Sequence, residues 1–168
     1  ACLVTPAILA QPIKIKKLDD PAPAQVLFVG NSYFYYNDSL HNHVNRLVQA
    51  HDKGLAERIA YKSATIGGAA LNHHDVAGHL ELGRLGLEKP FDLVILQGGS
   101  GEPLRESRRR IFTETARQHS AAIRETGAEV ALYMTTAYSD VHSRYDPDMI
   151  DKIASLYIET ANEIGALV

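Results

Sequence analysis

The chain has 168 residues, 45% of them hydrophobic, and a formal net charge of -3 from 17 basic and 20 acidic side chains. That is enough apolar material for the core of one domain, and too small a charge imbalance to draw in nucleic acid or an anionic membrane surface. The single cysteine, Cys2, excludes an internal disulfide framework, and no apolar stretch reaches the roughly 20 residues that span a bilayer.

Leu3 to Ala10 reads as the tail of an export signal without its charged leader, so a periplasmic or extracellular location is expected, with the cytoplasm as the alternative. Ile13 and Ile15 alternate with Lys14 and Lys16 in the manner of an edge strand. Pro21 and Pro23, set among alanines, form a stiff linker. An arm over residues 1–24 and one folded domain over residues 25–168 are therefore predicted.

The first strand starts near Gln25, where Val26-Leu27-Phe28-Val29 runs into Gly30-Asn31-Ser32-Tyr33. An apolar run of this kind ends a buried strand and delivers a hydroxyl at its carboxyl edge, where open parallel sheets bind ligands. Ser32 is accordingly either a nucleophile or a turn and helix-cap residue. Tyr33, Phe34, Tyr35 and Tyr36 follow, then Asn37-Asp38 as a helix cap. Leu40, Val44, Leu47 and Val48 at helical spacing predict an amphipathic helix with Gly54 as its stop.

The same unit repeats. A strand near Arg58 to Lys62 leads through Gly67-Gly68 to a helix carrying Leu71, Val76 and Leu80. A strand over Leu93 to Leu96 ends in Gln97-Gly98-Gly99-Ser100 and leads to a long helix with Ile111, Phe112, Ala116 and Ile123, ended by Gly127. The run Arg105 to Arg110 opens that helix and reads as a solvated face. A fourth strand, Val130 to Met134, precedes a loop and a helix started by Asp146-Pro147. Alternating strands and helices with apolar strands imply a parallel sheet covered on both faces, and right-handed crossovers then bring Ser32, Gly68 and Gln97 to one edge.

No Gly-x-Gly-x-x-Gly follows the first strand and no Gly-Lys-Ser/Thr phosphate loop occurs, so nucleotide binding has little support. The Gly-x-Ser-x-Gly elbow of α/β-hydrolases is also missing, because Phe34 stands at its second glycine. Taken in order, Gly30-Asn31-Ser32-Tyr33, the Gly67-Gly68 block and Gln97-Gly98-Gly99-Ser100 resemble the first three blocks of the SGNH, or GDSL-like, hydrolases. The resemblance spans about residues 25–168. It implies a three-layer α/β/α fold, flavodoxin-like in outline, and a serine esterase without cofactor.

On that resemblance Ser32 is the nucleophile, and its backbone N–H, the Gly68 N–H and the Gln97 amide form the oxyanion hole, with Gly67 and Ser100 as alternatives. Two departures stand out. Asn31 replaces the aspartate of the first block, and Gly98-Gly99-Ser100-Gly101 replaces Gly-x-Asn-Asp, which removes the usual asparagine donor. The Asp-x-x-His block that supplies the general base is expected after a fifth strand opening at Ala166-Leu167-Val168, from a further segment or a second chain.

Among eight histidines, His142 in the loop after the fourth strand is the internal substitute for that base. His41 and His43 lie about 200 degrees apart on a helix, and His73, His74, His79 and Asp75 lack regular zinc spacing, so no metal is expected. The substrate class is a small-molecule or carbohydrate ester, with Tyr33, Tyr35 and Tyr36 either stacking on sugar or packing inward. The competing reading is a non-catalytic binding module on the same fold.

Overall fold

Four parallel strands form one sheet in the order β2-β1-β3-β4 in the computed structural model, which describes residues 11–168. The apolar run Leu3 to Ala10 and Cys2 lie outside the described residues. The strands are β1 (Gln25–Gly30), β2 (Ala60–Thr65), β3 (Leu93–Leu96) and β4 (Glu129–Leu132). Their register sets Gly30 against Thr65 of β2 and Val29 against Leu96 of β3, so the carboxyl ends of three adjacent strands come out side by side.

Alternation along the strands divides the core in two. Leu27, Val29, Val94, Leu96, Val130 and Leu132 face α5 (Glu106–Glu125) and α6 (Met149–Ile164), whose Phe112, Ala116, Ile123, Ile153, Leu156 and Tyr157 are buried against them. Val26, Phe28, Leu93 and Ala131 face the other way, onto Phe34 of α1 (Ser32–Tyr35) and the half-buried Leu40 of α2 (Leu40–His51). Each large side chain so buried contributes roughly 1.5–3 kcal/mol. Both faces are covered, which is why the central strands β1 and β3 carry the unbroken apolar runs Val26 to Val29 and Leu93 to Leu96, whereas the edge strand β2 is mixed and only partly buried.

Several elements depart from their expected bounds. Gly54 does not stop a helix. Asp52 does, because its carboxylate accepts from the Leu55 N–H at 2.9 Å and starts a further turn, α3 (Lys53–Ala56), that runs through Gly54. The cap of α2 is Ser39, while Asp38 instead pairs with Arg46 at 2.6 Å. The helix expected around Leu71, Val76 and Leu80 is broken into a 3-10 turn (Leu71–His73) and a single turn, α4 (Val76–His79), capped by Asp75. Of the arginine run, Arg109 is not solvated: it donates to Lys152 O at 2.8 Å and Ser155 Oγ at 2.9 Å, tying α5 to α6.

No strand forms over residues 11–24. The outer side of β4 is taken by Leu167, which pairs in parallel with Ala131 and accepts from the Leu132 N–H at 2.8 Å. The arm is held by single contacts instead: the Asp19 and Asp20 N–H groups donate to the Glu129 carboxylate at 2.9 Å each, and Lys14 N–H to Asn162 Oδ1 at 2.9 Å. No helix among the described residues is long and apolar enough to cross a membrane.

His74 is 5% exposed and neither ring nitrogen has a partner among the described residues. Burial, with His79, His119 and His73 nearby, lowers its pKa to about 4. The unfolded chain takes up this proton near the ordinary value of 6.5, the folded chain only near 4. The unfolded state therefore binds more protons between those values, and up to about 3 kcal/mol of stability is lost as pH falls through that window. Urea midpoints at pH 7 and pH 4.5 are expected to separate widely for the wild type and much less for His74→Phe. Equal separations would place the acid sensitivity elsewhere. No group of three or more His, Cys, Asp or Glu among the described residues is arranged to hold a metal ion.

Candidate active site

Ser32 is the first residue of α1, directly beyond β1, and is half-buried. Asn31 caps this short helix, its Oδ1 accepting from the Tyr33 N–H at 3.2 Å. The Ser32 hydroxyl has no hydrogen-bond partner among the described residues, so it is neither a cap nor tied into a turn. Beyond β2, Ile66 to Ala69 form a tight turn closed by Ala69 N–H to Ile66 O at 3.2 Å. Gly68 takes φ +69 there and is exposed, a conformation that suits glycine and leaves its N–H open at the edge. Beyond β3 the chain leaves through Gln97, Gly98, Gly99 and Ser100. All three segments lie on the same carboxyl edge.

A buried amide fastens them together. Asn31 is 3% exposed, and its Nδ2 donates to Ala69 O at 2.9 Å and to Gly98 O at 3.2 Å, while its backbone N–H donates to Gln97 Oε1 at 2.9 Å. One side chain thus joins the loops after β1, β2 and β3. An aspartate, having no donor, would set a carboxylate against two carbonyl oxygens, which accounts for asparagine at this position.

This arrangement corrects the expectation for Gln97. Its side chain is fully buried, Oε1 accepting from Asn31 and Nε2 donating to Gly98 O, so its amide turns inward beneath the strand ends and offers no donor at the open edge. Gly30 makes room for it: a Cβ there would lie 2.6 Å from Gln97 Oε1 and 2.9 Å from Phe34 Cδ2. Gly30→Ala is accordingly expected to cost about 1–3 kcal/mol by overpacking. A thermal midpoint equal to the wild type would show that the Gln97 amide is free to move away.

The third loop is held from two further sides. Gly98 N–H donates to the Tyr157 hydroxyl of α6 at 3.1 Å, and burial pushes the Tyr157 hydroxyl to a higher pKa. Glu102, 3% exposed, accepts from Leu71 N–H at 3.3 Å and from Gly99 N–H. Burial raises the pKa of the Glu102 carboxyl, although those two N–H groups, His73 and Arg108 oppose the shift. Ser100 Oγ lies 2.6 Å from the Tyr138 hydroxyl.

His142 is not brought to Ser32. Its ring stacks on Tyr138 at 4.0 Å, and its Nδ1 accepts from the Arg144 N–H at 3.0 Å. The ring proton then resides on Nε2, the reverse of a triad base, which needs Nδ1–H held by a partner and a free lone pair on Nε2. No histidine among the described residues hydrogen-bonds Ser32 Oγ: the His43 Nε2 engages Asn37 O at 2.6 Å, and His73 Nδ1 accepts from Ala70 N–H at 3.2 Å. Of the four aromatics after Ser32, Phe34 packs in the core against Phe28 at 5.4 Å. Tyr35 and Tyr36 stay exposed, edge to face at 5.2 Å, with the Tyr35 hydroxyl 3.0 Å from where a Gly67 Cβ would stand.

No protein-family model and no curated protein matches the sequence. Solved structures do. A protein of Slackia heliotrinireducens assigned to the SGNH hydrolases superposes with a TM-score of 0.62 at 19% identity, over 84% of this chain and 76% of that one. The acetyl xylan esterase AlAXEase gives 0.62 at 17% identity over 85% and 75%, and Axe2, an acetylxylan esterase from Geobacillus stearothermophilus, gives 0.60 at 18% over 85% and 74%. Identities this low speak to architecture, and on that ground the chain has the three-layer parallel α/β fold of the SGNH hydrolases.

Proposed function

We propose that this protein is a serine ester hydrolase acting on a small acyl ester, of acetyl type, carried by a carbohydrate. The observation that supports it best is Asn31. Its amide holds the open Ser32 hydroxyl in fixed relation to the Gly68 turn and the Ser100 loop, as a nucleophile facing oxyanion donors requires. The acetyl xylan esterases of the same fold and the exposed Tyr35 and Tyr36 favour a carbohydrate ester. An exported location fits such a substrate.

In this reading Ser32 Oγ attacks the ester carbonyl carbon and gives its proton to a base. The oxyanion is met by the N–H groups of Ser32 and Gly68, with Ser100 as the third donor. Collapse of the tetrahedral intermediate breaks the bond to the alcohol, which leaves with the proton. Water then attacks the acyl-enzyme and the carboxylic acid departs. On the resemblance, the base would come with an Asp-x-x-His block on a further strand-helix unit beside β4, next to the bridge between Leu167 and Ala131.

The test is acetate release from 4-nitrophenyl acetate and acetylated xylo-oligosaccharide, by this chain and by a chain carried through that unit. Turnover rising steeply with the added unit is expected. Equal, vigorous turnover by both would put the base within the present residues. The second reading, a binding module, draws on the lack of a histidine at Ser32 among the described residues. It would be upheld by retention of acetylated sugar without any acetate release.

A further inference from the structure

We propose that Glu102 is a positioning residue of this site, whose buried carboxylate locks the Gly67 to Leu71 turn onto the Gly98 to Ser100 loop and so fixes the oxyanion donors of one relative to the other. The inference rests on the esterase reading. It starts from the position of a charge that the chemistry above does not use.

Glu102 opens the 3-10 turn Glu102–Leu104, and its backbone N–H donates to Gly99 O at 3.0 Å, so the loop folds back and aims the side chain under itself. The two groups its carboxylate reaches belong to different loops. Leu71 stands three residues after Gly68, and Gly99 immediately before Ser100. Burying a carboxylate costs several kcal/mol unless hydrogen bonds offset it, and here both donors are backbone N–H groups of the site. A leucine would fill the same space without that cost, but would leave the two N–H groups unpaired.

The glycines of the third loop have the same explanation. A Cβ at Gly98 would lie 2.6 Å from Glu102 Oε2 and 2.6 Å from Phe112 Cε2, and a Cβ at Gly99 would lie 3.2 Å from Ala69 O. Gly98-Gly99 therefore lets the two loops touch and lets the carboxylate pass beneath. Beneath the donors at the edge, this chain has a carboxylate that holds their two loops together.

Glu102→Leu removes the acceptor and keeps the volume, whereas Glu102→Gln keeps an acceptor oxygen. In Glu102→Leu the amides of residues 67–71 and 98–101 are expected to exchange with solvent about tenfold faster, together, while those of β1 and α5 keep their protection. On 4-nitrophenyl acetate kcat falls roughly 10- to 100-fold with KM within about twofold, and Glu102→Gln restores both measures to within about threefold of wild type. Unchanged loop exchange in Glu102→Leu, or Glu102→Gln as impaired as Glu102→Leu, overturns the proposal. Exchange in the wild type decides the matter if Glu102→Leu does not fold. The Leu71 and Gly99 amides share one slow rate if Glu102 locks the loops, and differ widely if it does not. Should no ester be turned over even by the chain carried through the added strand-helix unit, the esterase reading fails, while the exchange rates still decide whether Glu102 couples the loops.

Discussion

Replacing Ser32 with alanine is expected to lower kcat on 4-nitrophenyl acetate by about 10³-fold or more, in any preparation that hydrolyses it, with KM nearly unchanged. The residue that attacks contributes to the transition state and little to ground-state binding, and what survives its loss is the catalysis of the oxyanion donors alone. The same substitution is expected to leave the thermal midpoint where it was. The Ser32 hydroxyl has no partner among the described residues, and alanine is tolerated at the first position of a helix whose cap is the neighbouring Asn31. Activity and stability are thus expected to part company at this residue. Retained turnover would remove Ser32 from the chemistry, and a fall in both together would make it a structural residue.

Asn31→Asp is expected to do the opposite and damage both. Aspartate caps a helix as well as asparagine, so α1 keeps its start. What is lost is the pair of donor bonds to Ala69 O and Gly98 O, replaced by a buried carboxylate facing two carbonyl oxygens. Lost bonds and an uncompensated charge together cost about 2–4 kcal/mol, a fall of roughly 5–15 °C in the thermal midpoint for a chain of this size. The three loops then separate and ester hydrolysis goes with them. Because the new carboxyl is tolerated best when protonated, the deficit relative to wild type should shrink between pH 7 and pH 5. A variant as stable as the wild type at pH 7 would mean that Asn31 does not fasten the loops.

Much of the architecture was legible because the central strands β1 and β3 are apolar on both faces. Val26 to Val29 and Leu93 to Leu96 announce themselves by composition, and Gly127 and Gly165, at φ +89 and +64, end α5 and α6 where glycine was available to do so. The helix after β2 was not legible. Leu71, Val76 and Leu80 have helical spacing, yet Asp75 caps a new turn between them and His74 leaves the helix to be buried. Side-chain capping decides such cases, and spacing does not register it.

At the site, strand-end position singled out Ser32 and Gly68, but the role of Gln97 followed from a detail no linear pattern carries. Whether an amide at a strand end faces outward or inward depends on the space beside it, and the absent Cβ of Gly30 opens that space inward. Asn31, Glu102 and Tyr157 were missed for a related reason. Each is a buried polar residue recognised only by its partners, which lie on other elements. The one linear hint was asparagine in place of aspartate beside Ser32, a change that makes sense once two carbonyls are seen to face it.

The central claim, that Ser32 is an activated nucleophile, is tested most directly by treating the protein with a fluorophosphonate and mapping the modified peptide by mass spectrometry. Attack on phosphorus uses the same hydroxyl, base and oxyanion donors as attack on an ester, so the adduct marks the working serine. A single adduct on Ser32 is the expected result. An adduct on another serine, or none in a preparation that hydrolyses esters, would contradict it.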